Sequence, residues 1–384
     1  MSLVDDAPVT APEPRENPHL VGHDHAETEM AETIASGRIH HAWLITGPRG
    51  IGKATLAFRF ARRLLAGGLT PSGPDLFGDA APSHDLAMDP GDPVFKRVAA
   101  EGHADLFTLE RGFANEPKRG RAGDDDPRNR RRRTEIVVDD VRKVGGFLSL
   151  TALEGGWRVV IVDGAEDMNR NAANALLKTL EEPPGHAIVL LVSHAPGRLL
   201  PTIRSRCRRL SLARLADDQV ASLIGRYRPD IDPDDARALA LIGGGSIGRA
   251  LDLADTGGLA LYEELVRLVS TLPQLDTARL HGTLEAIART RNEAGAFQAY
   301  DVFTDLIDDW LMRLVTARAR GLAPVEIMPG EGEVAARLTA RADLDQWVDV
   351  WEKITRLFNR AARLNLDRKQ VLLDAFFALA RTAA

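Results

Sequence analysis

The chain has 384 residues and a mass of 41.8 kDa, which predicts two or three domains at roughly 150 residues each. Lys plus Arg number 49 against 55 for Asp plus Glu, a net charge of −6, so no global positive field draws it onto nucleic acid and any DNA contact has to come from a local patch or from partners. A single cysteine, Cys207, excludes an intramolecular disulfide and a cysteine-cluster zinc site, and no apolar run approaches the roughly 18–20 residues needed to cross a bilayer.

Residues 1–16 are Pro- and acid-rich, lack the apolar core of a signal peptide, and are expected to be disordered in a cytoplasmic protein with no membrane contact. From about Asn17 to Leu212, helix-like and strand-like segments alternate. Ala26–Ala35 reads as a helix, His41–Thr46 as a short apolar strand, and Ala54–Leu65 as a helix with Leu56, Phe60 and Leu64 on one face. Trp157–Asp163 and Ala187–Ser193 are nearly all-apolar, β-branched runs suited to strands buried on both faces of a parallel sheet. The stretch 67–134 breaks this rhythm and is expected to be mostly an inserted loop. Its final part mixes Lys and Arg with Asp124–Asp126 and ends in Arg130–Arg133, a basic run that can meet phosphate, although charge runs usually stay solvated. After Leu212 strands disappear. Residues 213–256 predict a small helical lid, and 257–384 a helical domain with two core-forming stripes. One stripe is Phe303, Leu306, Ile307, Trp310, Leu311 and Leu314; the other is Leu344, Trp347, Val348, Trp351, Ile354 and Phe358. The expected fold class is an α/β domain with a parallel sheet and flanking helices over 17–212, followed by the lid and an all-α region.

Directly after the first strand comes Gly47-Pro48-Arg49-Gly50-Ile51-Gly52-Lys53-Ala54-Thr55, opening a helix. Gly47-x4-Gly52-Lys53 in a strand–loop–helix context fits a phosphate-binding loop. Glycines let backbone N–H groups turn inward, the helix N-terminus adds positive potential, and Lys53 would reach the phosphates. The next position should hold Ser or Thr to ligate Mg²⁺, yet it is Ala54, and Thr55 is rotated from it by about 100°. Asp163 ends the acidic strand where a metal-water contact is expected, but Gly164 occupies the place of the glutamate that would activate water. Glu166 can compensate only through an unusual turn. ATP or ADP is therefore expected to bind weakly at best, with poor metal placement.

Further motifs carry a family resemblance. Leu20-Val21-Gly22-His23, Gly37-Arg38-Ile39-His40-His41-Ala42 and the phosphate loop are followed by Asn174-Ala175-Leu176-Leu177-Lys178-Thr179-Leu180-Glu181-Glu182-Pro183-Pro184. Ser205-Arg206-Cys207, preceded by Thr202-Ile203-Arg204, and Gly245-Ser246-Ile247-Gly248-Arg249-Ala250-Leu251 complete the set. In this order the motifs, covering about 17–256, resemble the bacterial clamp-loader AAA+ subunits of DNA polymerase III.

The resemblance implies a P-loop AAA+ domain, a lid and a collar that joins subunits into a ring. The implied partners are gamma/tau and delta subunits in a pentamer, with the sliding clamp and primed DNA reached through that complex. The defects at Ala54 and Gly164 point to a non-hydrolysing member of the ring, accessory to a DNA polymerase. The family motif implies that Arg206 serves as an arginine finger in trans, with Arg204, Arg208 and Arg209 remaining alternatives. It places Ser193 where a first sensor reads the γ-phosphate and Arg249 where a second sensor lies. Polar strand termini and structural ion pairs account for Ser193 and Arg249 equally well. An active gamma/tau-like ATPase remains the alternative. A small-molecule phosphotransferase explains the loop, but neither Ser205-Arg206-Cys207 nor the helical C-terminal third.

Overall fold

The computed structural model describes residues 11–67, 86–112, 133–154, 156–289 and 298–384, and the chain divides into two compact units. The first comprises 1–220 with 245–248, the second 221–244 with 249–384, so the segment expected as a lid contributes to both.

The first unit is built on a parallel sheet of β1 (Ala42–Thr46), β2 (Leu106–Leu109), β3 (Arg158–Asp163), β4 (Ala187–Ser193) and β5 (Arg208–Ser211), in the order β2-β3-β4-β1-β5. Every residue of β4 is buried, as its unbroken apolar run requires of a strand covered on both faces. Alternate side chains feed opposite layers. Trp43, Ile45, Val159 and Ile161 pack with Met30 of α1 (Asp24–Ala35), Phe60 of α2 (Lys53–Gly67) and Val98 of α3 (Pro93–Ala99). Leu44, Val160 and Val162 pack with Val144 of α4 (Val138–Leu148), Leu176 and Leu180 of α5 (Arg170–Glu181), and Ile203 of α6 (Pro201–Arg204). Each such side chain taken fully out of water contributes about 1.5–3 kcal/mol, so these two layers fix the sheet against which the loops are held.

β4 lies between β1 and β3, pairing Thr46 with Ser193 and Val192 with Asp163. The carboxyl ends of β1, β4 and β3 therefore stand side by side, bringing together the glycine-rich loop, Ser193 and Asp163. That edge is where open α/β sheets take their ligands.

Two expectations need correction. The stretch 67–134 is not simply an insertion, because within it α3 packs on the core and β2 forms the sheet edge beside β3, Leu106 opposite Val159. Four residues, only partly buried, give an edge strand too little alternation to be read locally. Residues 68–85 and 113–132, which contain most of the basic run, lie outside the described residues, whereas Arg133 pairs with Asp140 at 3.0 Å. Nor is the N-terminal segment loose throughout. Residues 1–10 are outside the description, but the buried Arg62 guanidinium donates to the carbonyls of Arg15 at 3.1 Å and Asn17 at 2.9 Å. A buried cation needs acceptors, and the passing chain supplies them.

The second unit is helical throughout its described elements. α7 (Asp217–Tyr227) leads into it, followed by α8 (Pro233–Gly243), α9 (Ile247–Asp255), α10 (Gly258–Ser270), α11 (Thr277–Arg289), α12 (Gln298–Ala319), α13 (Glu331–Thr339), α14 (Leu344–Leu364) and α15 (Arg368–Thr382). The whole Phe303–Leu314 stripe of α12 is buried. On α14 only Trp347 and Ile354 of the expected stripe are buried, while Val348, Trp351 and Phe358 remain half-buried. Asp308 of α12 accepts from Trp351 Nε1 at 3.0 Å and from the Thr355 hydroxyl, fixing α14 against α12. Among the described residues, no helix is long and apolar enough to cross a membrane.

Candidate functional site

The loop Gly47–Gly52 links β1 to the N-terminus of α2, and its neighbours hold its backbone. Ser246 Oγ donates to the Arg49 carbonyl at 2.8 Å, and the Gly248 amide donates to the Gly50 carbonyl at 2.9 Å. Gly50 has φ +73°, and a Cβ there would stand 2.5 Å from Ser246 Oγ and 3.0 Å from the Gly248 Cα. Only glycine at both positions lets the two strands of backbone touch. On the other flank, buried His23 meets the Ile51 carbonyl at 2.7 Å through Nε2. Burial lowers the His23 pKa, so the neutral ring carries its proton on Nε2 and donates it.

Lys53, Asp163, Glu166 and Ser193 gather at the strand ends. Lys53 is buried and its ammonium donates to the Pro48 carbonyl, closing the loop on its own lysine. Burial pulls its pKa down, opposed by the carboxylates of Asp163 and Glu166. Burial likewise raises the Asp163 pKa, with Glu110 adding like-charge repulsion and Lys53 opposing both.

Gly164 adopts φ +71°, a left-handed turn that L side chains rarely enter. The turn is indeed unusual, but it carries Glu166 to the loop after β4. There Oε1 accepts from the amides of His194 at 2.9 Å and Ala195 at 3.2 Å, and meets His194 Nδ1 at 2.6 Å. Burial pushes the Glu166 pKa up, but its own amide and that of His194 outweigh it, and the carboxyl settles below the usual glutamate range. A carboxylate so stabilised is a weak base; it braces the loop after β4. The buried Ser193 hydroxyl also helps hold the glutamate low.

This donor set does not fit a magnesium–nucleotide centre. Ala54 brings a methyl group where a hydroxyl ligand belongs, Thr55 is buried within α2, and Asp163 is left as the sole carboxylate in an expected place. No hydrolytic step is therefore assigned to the chain's own loop.

Arg206 lies between α6 and β5, half-buried. Its Nη2 pairs with Glu181 Oε1 at 2.6 Å and its Nη1 donates to the Thr202 carbonyl at 3.1 Å. The other candidate arginines differ from it. Arg208 is engaged by Glu29 at 2.7 Å and stacks over Trp43, with its guanidinium carbon 4.6 Å from the ring centre. Arg204 and Arg209 are exposed. Burial raises the Cys207 thiol to about 12, which keeps it protonated and inert. Arg249 belongs to the helical unit, where Asp309 of α12 takes its guanidinium.

Gly47, Gly50, Gly52 and Lys53 thus share one loop, which stands at the strand ends with Asp163 and Ser193. Motif reading missed the anchoring roles of His23, Ser246 and Gly248 and the pairing of Glu181, although each lies inside a motif quoted for resemblance alone. The missing signal was spatial: Ser246 and Arg49 are 197 residues apart.

A family model described as "DNA polymerase III, delta subunit" matches residues 81–216. The chain is 37% identical over 206 residues to DNA polymerase III subunit delta' of Pseudomonas aeruginosa, which is 54% of this chain and 53% of that protein. It is 28% identical over 360 residues to subunit gamma/tau of Mycobacterium tuberculosis, 86% of this chain and 56% of that one. The chain spans about half the length of these curated relatives.

Proposed function

We propose, on the premise that this chain belongs to the clamp-loader family of DNA polymerase III, that it works as the delta prime subunit: a non-hydrolysing AAA+ member that lends Arg206 to a neighbouring ATPase. The observation that carries this reading is the contrast between two sites in one unit. The chain's own loop lacks a metal ligand and a base at Ala54 and Gly164, while Arg206 is present, half-exposed and, among the described residues, held by Glu181 and a carbonyl. On this reading the partners are gamma/tau and delta subunits in a pentameric ring that places the sliding clamp on primed DNA.

Arg206 would exchange the Glu181 carboxylate for the γ-phosphate of ATP bound next door. A planar guanidinium stabilises the charge that develops on the transferred phosphoryl group, an effect worth about 10³–10⁵ in rate. The chain's own side chains supply the positioning: α6 and β5 fix the backbone on either side of the finger, and Cys207 packs inward beneath it.

The test is Arg206→Ala in a loader reconstituted with gamma/tau and delta. Assembly is expected to persist while DNA-stimulated ATP hydrolysis falls; unchanged hydrolysis would reject the finger. The second reading, an active gamma/tau-like ATPase, draws on the longer alignment to the gamma/tau relative. Motor-like ATP turnover by the purified chain alone would favour it.

A further inference from the structure

The helical unit carries a groove of about 840 Å³ along α14 and α15 that none of the chemistry above uses. Helical spacing lays Ile354 and Leu357 of α14 against Phe377 and Ala378 of α15 to make an apolar floor, and Phe377 is 38% exposed although its neighbour Phe376 is fully buried. Cations stand over this floor: Lys353, Arg356 and Arg360 from α14, and Arg381 from α15.

Their charges are largely uncompensated. Arg356 has an exposed intrahelical pair with Glu352 at 3.3 Å, and Asp374, the one carboxylate side chain among the described residues that line the groove, accepts from Gln370 at 2.9 Å. Among the described residues, the side chains of Lys353, Arg360 and Arg381 make no ion pair or hydrogen bond. A chain of net charge −6 has thus concentrated unpaired positive charge over one strip of exposed apolar surface.

We propose that this groove docks an acidic amphipathic segment of a partner protein, one presenting Asp or Glu beside Leu or Phe. Apolar side chains of such a segment cover Phe377 and Leu357 while its carboxylates meet Arg360, Arg381 and Lys353, the helix-in-groove mode with charge complementarity at the rim. Nucleic acid fits less well. Its phosphates would leave the apolar floor uncovered and would face Asp374. The inference is independent of the finger assigned to Arg206.

The test uses the full chain and fluorescence anisotropy of a dye-labelled synthetic helical peptide with Glu on one face and Leu and Phe on the other. Comparison probes are a scrambled peptide of the same composition, the same peptide with Lys in place of Glu, and dye-labelled oligo-dT. Saturable binding of the acidic amphipathic peptide alone is expected, weakening at least about tenfold in Arg360→Glu/Arg381→Glu and in Phe377→Ser, and falling with added salt. These exposed substitutions should leave the helical circular dichroism and unfolding midpoint unchanged, which separates lost docking from lost folding. Equal binding by the scrambled peptide or by oligo-dT, indifference to both variants, or a concentration-dependent dimer abolished by Arg360→Glu would each overturn the proposal.

Discussion

Arg206 and Glu181 face each other at 2.6 Å across the C-terminal end of α5, joining the Ser-Arg-Cys turn to the helix that carries Leu176-Leu177-Lys178-Thr179-Leu180-Glu181. Both side chains are partly exposed, at 36% and 47%, so the pair is solvent-screened and holds its arginine lightly. The carboxylate compensates the guanidinium without burying it.

On the proposed reading of Arg206 as a finger, removing that carboxylate should act with the opposite sign to removing the arginine. Glu181→Gln should leave neighbouring-subunit ATP hydrolysis equal to or above the wild type, by up to about fivefold if the exposed pair is worth about 1 kcal/mol. Steady-state ATPase of the reconstituted loader, read beside Arg206→Ala, checks this. If Glu181→Gln were as inactive as Arg206→Ala, the glutamate would be required for activity rather than for holding the arginine.

Putting back the two missing groups should not rebuild an engine. Ala54→Thr/Gly164→Glu restores a hydroxyl and a carboxylate by name, but position 164 sits at φ +71°, and a Cβ there lies 3.1 Å from Asp167 Oδ2. Gly164→Ala alone should cost about 1–2 kcal/mol in urea unfolding, and the double variant should stay inactive in a direct ATPase assay. Turnover by the double variant would show that the left-handed turn is no barrier.

The clasp between loop and Gly245–Gly248 segment has its own signature. Ser246→Ala deletes the bond to the Arg49 carbonyl and should lower stability by about 0.5–1.5 kcal/mol. Gly50→Ala should cost more, because overpacking against Gly248 adds about 1–3 kcal/mol to the left-handed strain. Urea midpoints of the two variants rank the effects, and equal losses would contradict the close approach of Gly50 to Gly248.

Stability near neutral pH should depend on His23. Its folded pKa lies below the unfolded value of 6.5 because burial disfavours the charged ring, so the unfolded chain binds the proton more readily. The contribution is complete above the unfolded value and is lost as pH falls below it. Urea midpoints measured at about pH 7.5 and about pH 5.5 should separate more in the wild type than in His23→Asn. Parallel curves would mean that the ring protonates as freely in the folded chain as in the unfolded one.

The legible part of the molecule is what local chemistry dictates. Runs such as Ala187–Ser193, nearly all apolar and β-branched, suit a strand covered on both faces, and Gly47-x4-Gly52-Lys53 between a strand and a helix fits the pattern of a phosphate-binding loop. The absence of a hydroxyl at Ala54 and of a carboxylate at Gly164 is likewise readable, because a missing functional group needs no geometry to be missed. β2 and β5 were illegible, since edge strands of four residues, Leu106–Leu109 and Arg208–Ser211, bury too little to pattern themselves.

Sequence alone therefore determined the layered α/β architecture, the helical remainder, and the absence of a hydroxyl at position 54 and of a carboxylate at position 164, all of which follow from side-chain type and spacing along the backbone. Tertiary structure decided that Lys53 turns onto Pro48, that Glu166 bonds the amides after β4, that Ser246 and Gly248 clasp the glycine-rich loop, and that Glu181 holds Arg206. Those outcomes depend on which distant groups reach one another once two apolar layers have closed on the sheet. Hydrogen bonds and ion pairs then go to whatever stands within about 3 Å, however far away it lies in the chain.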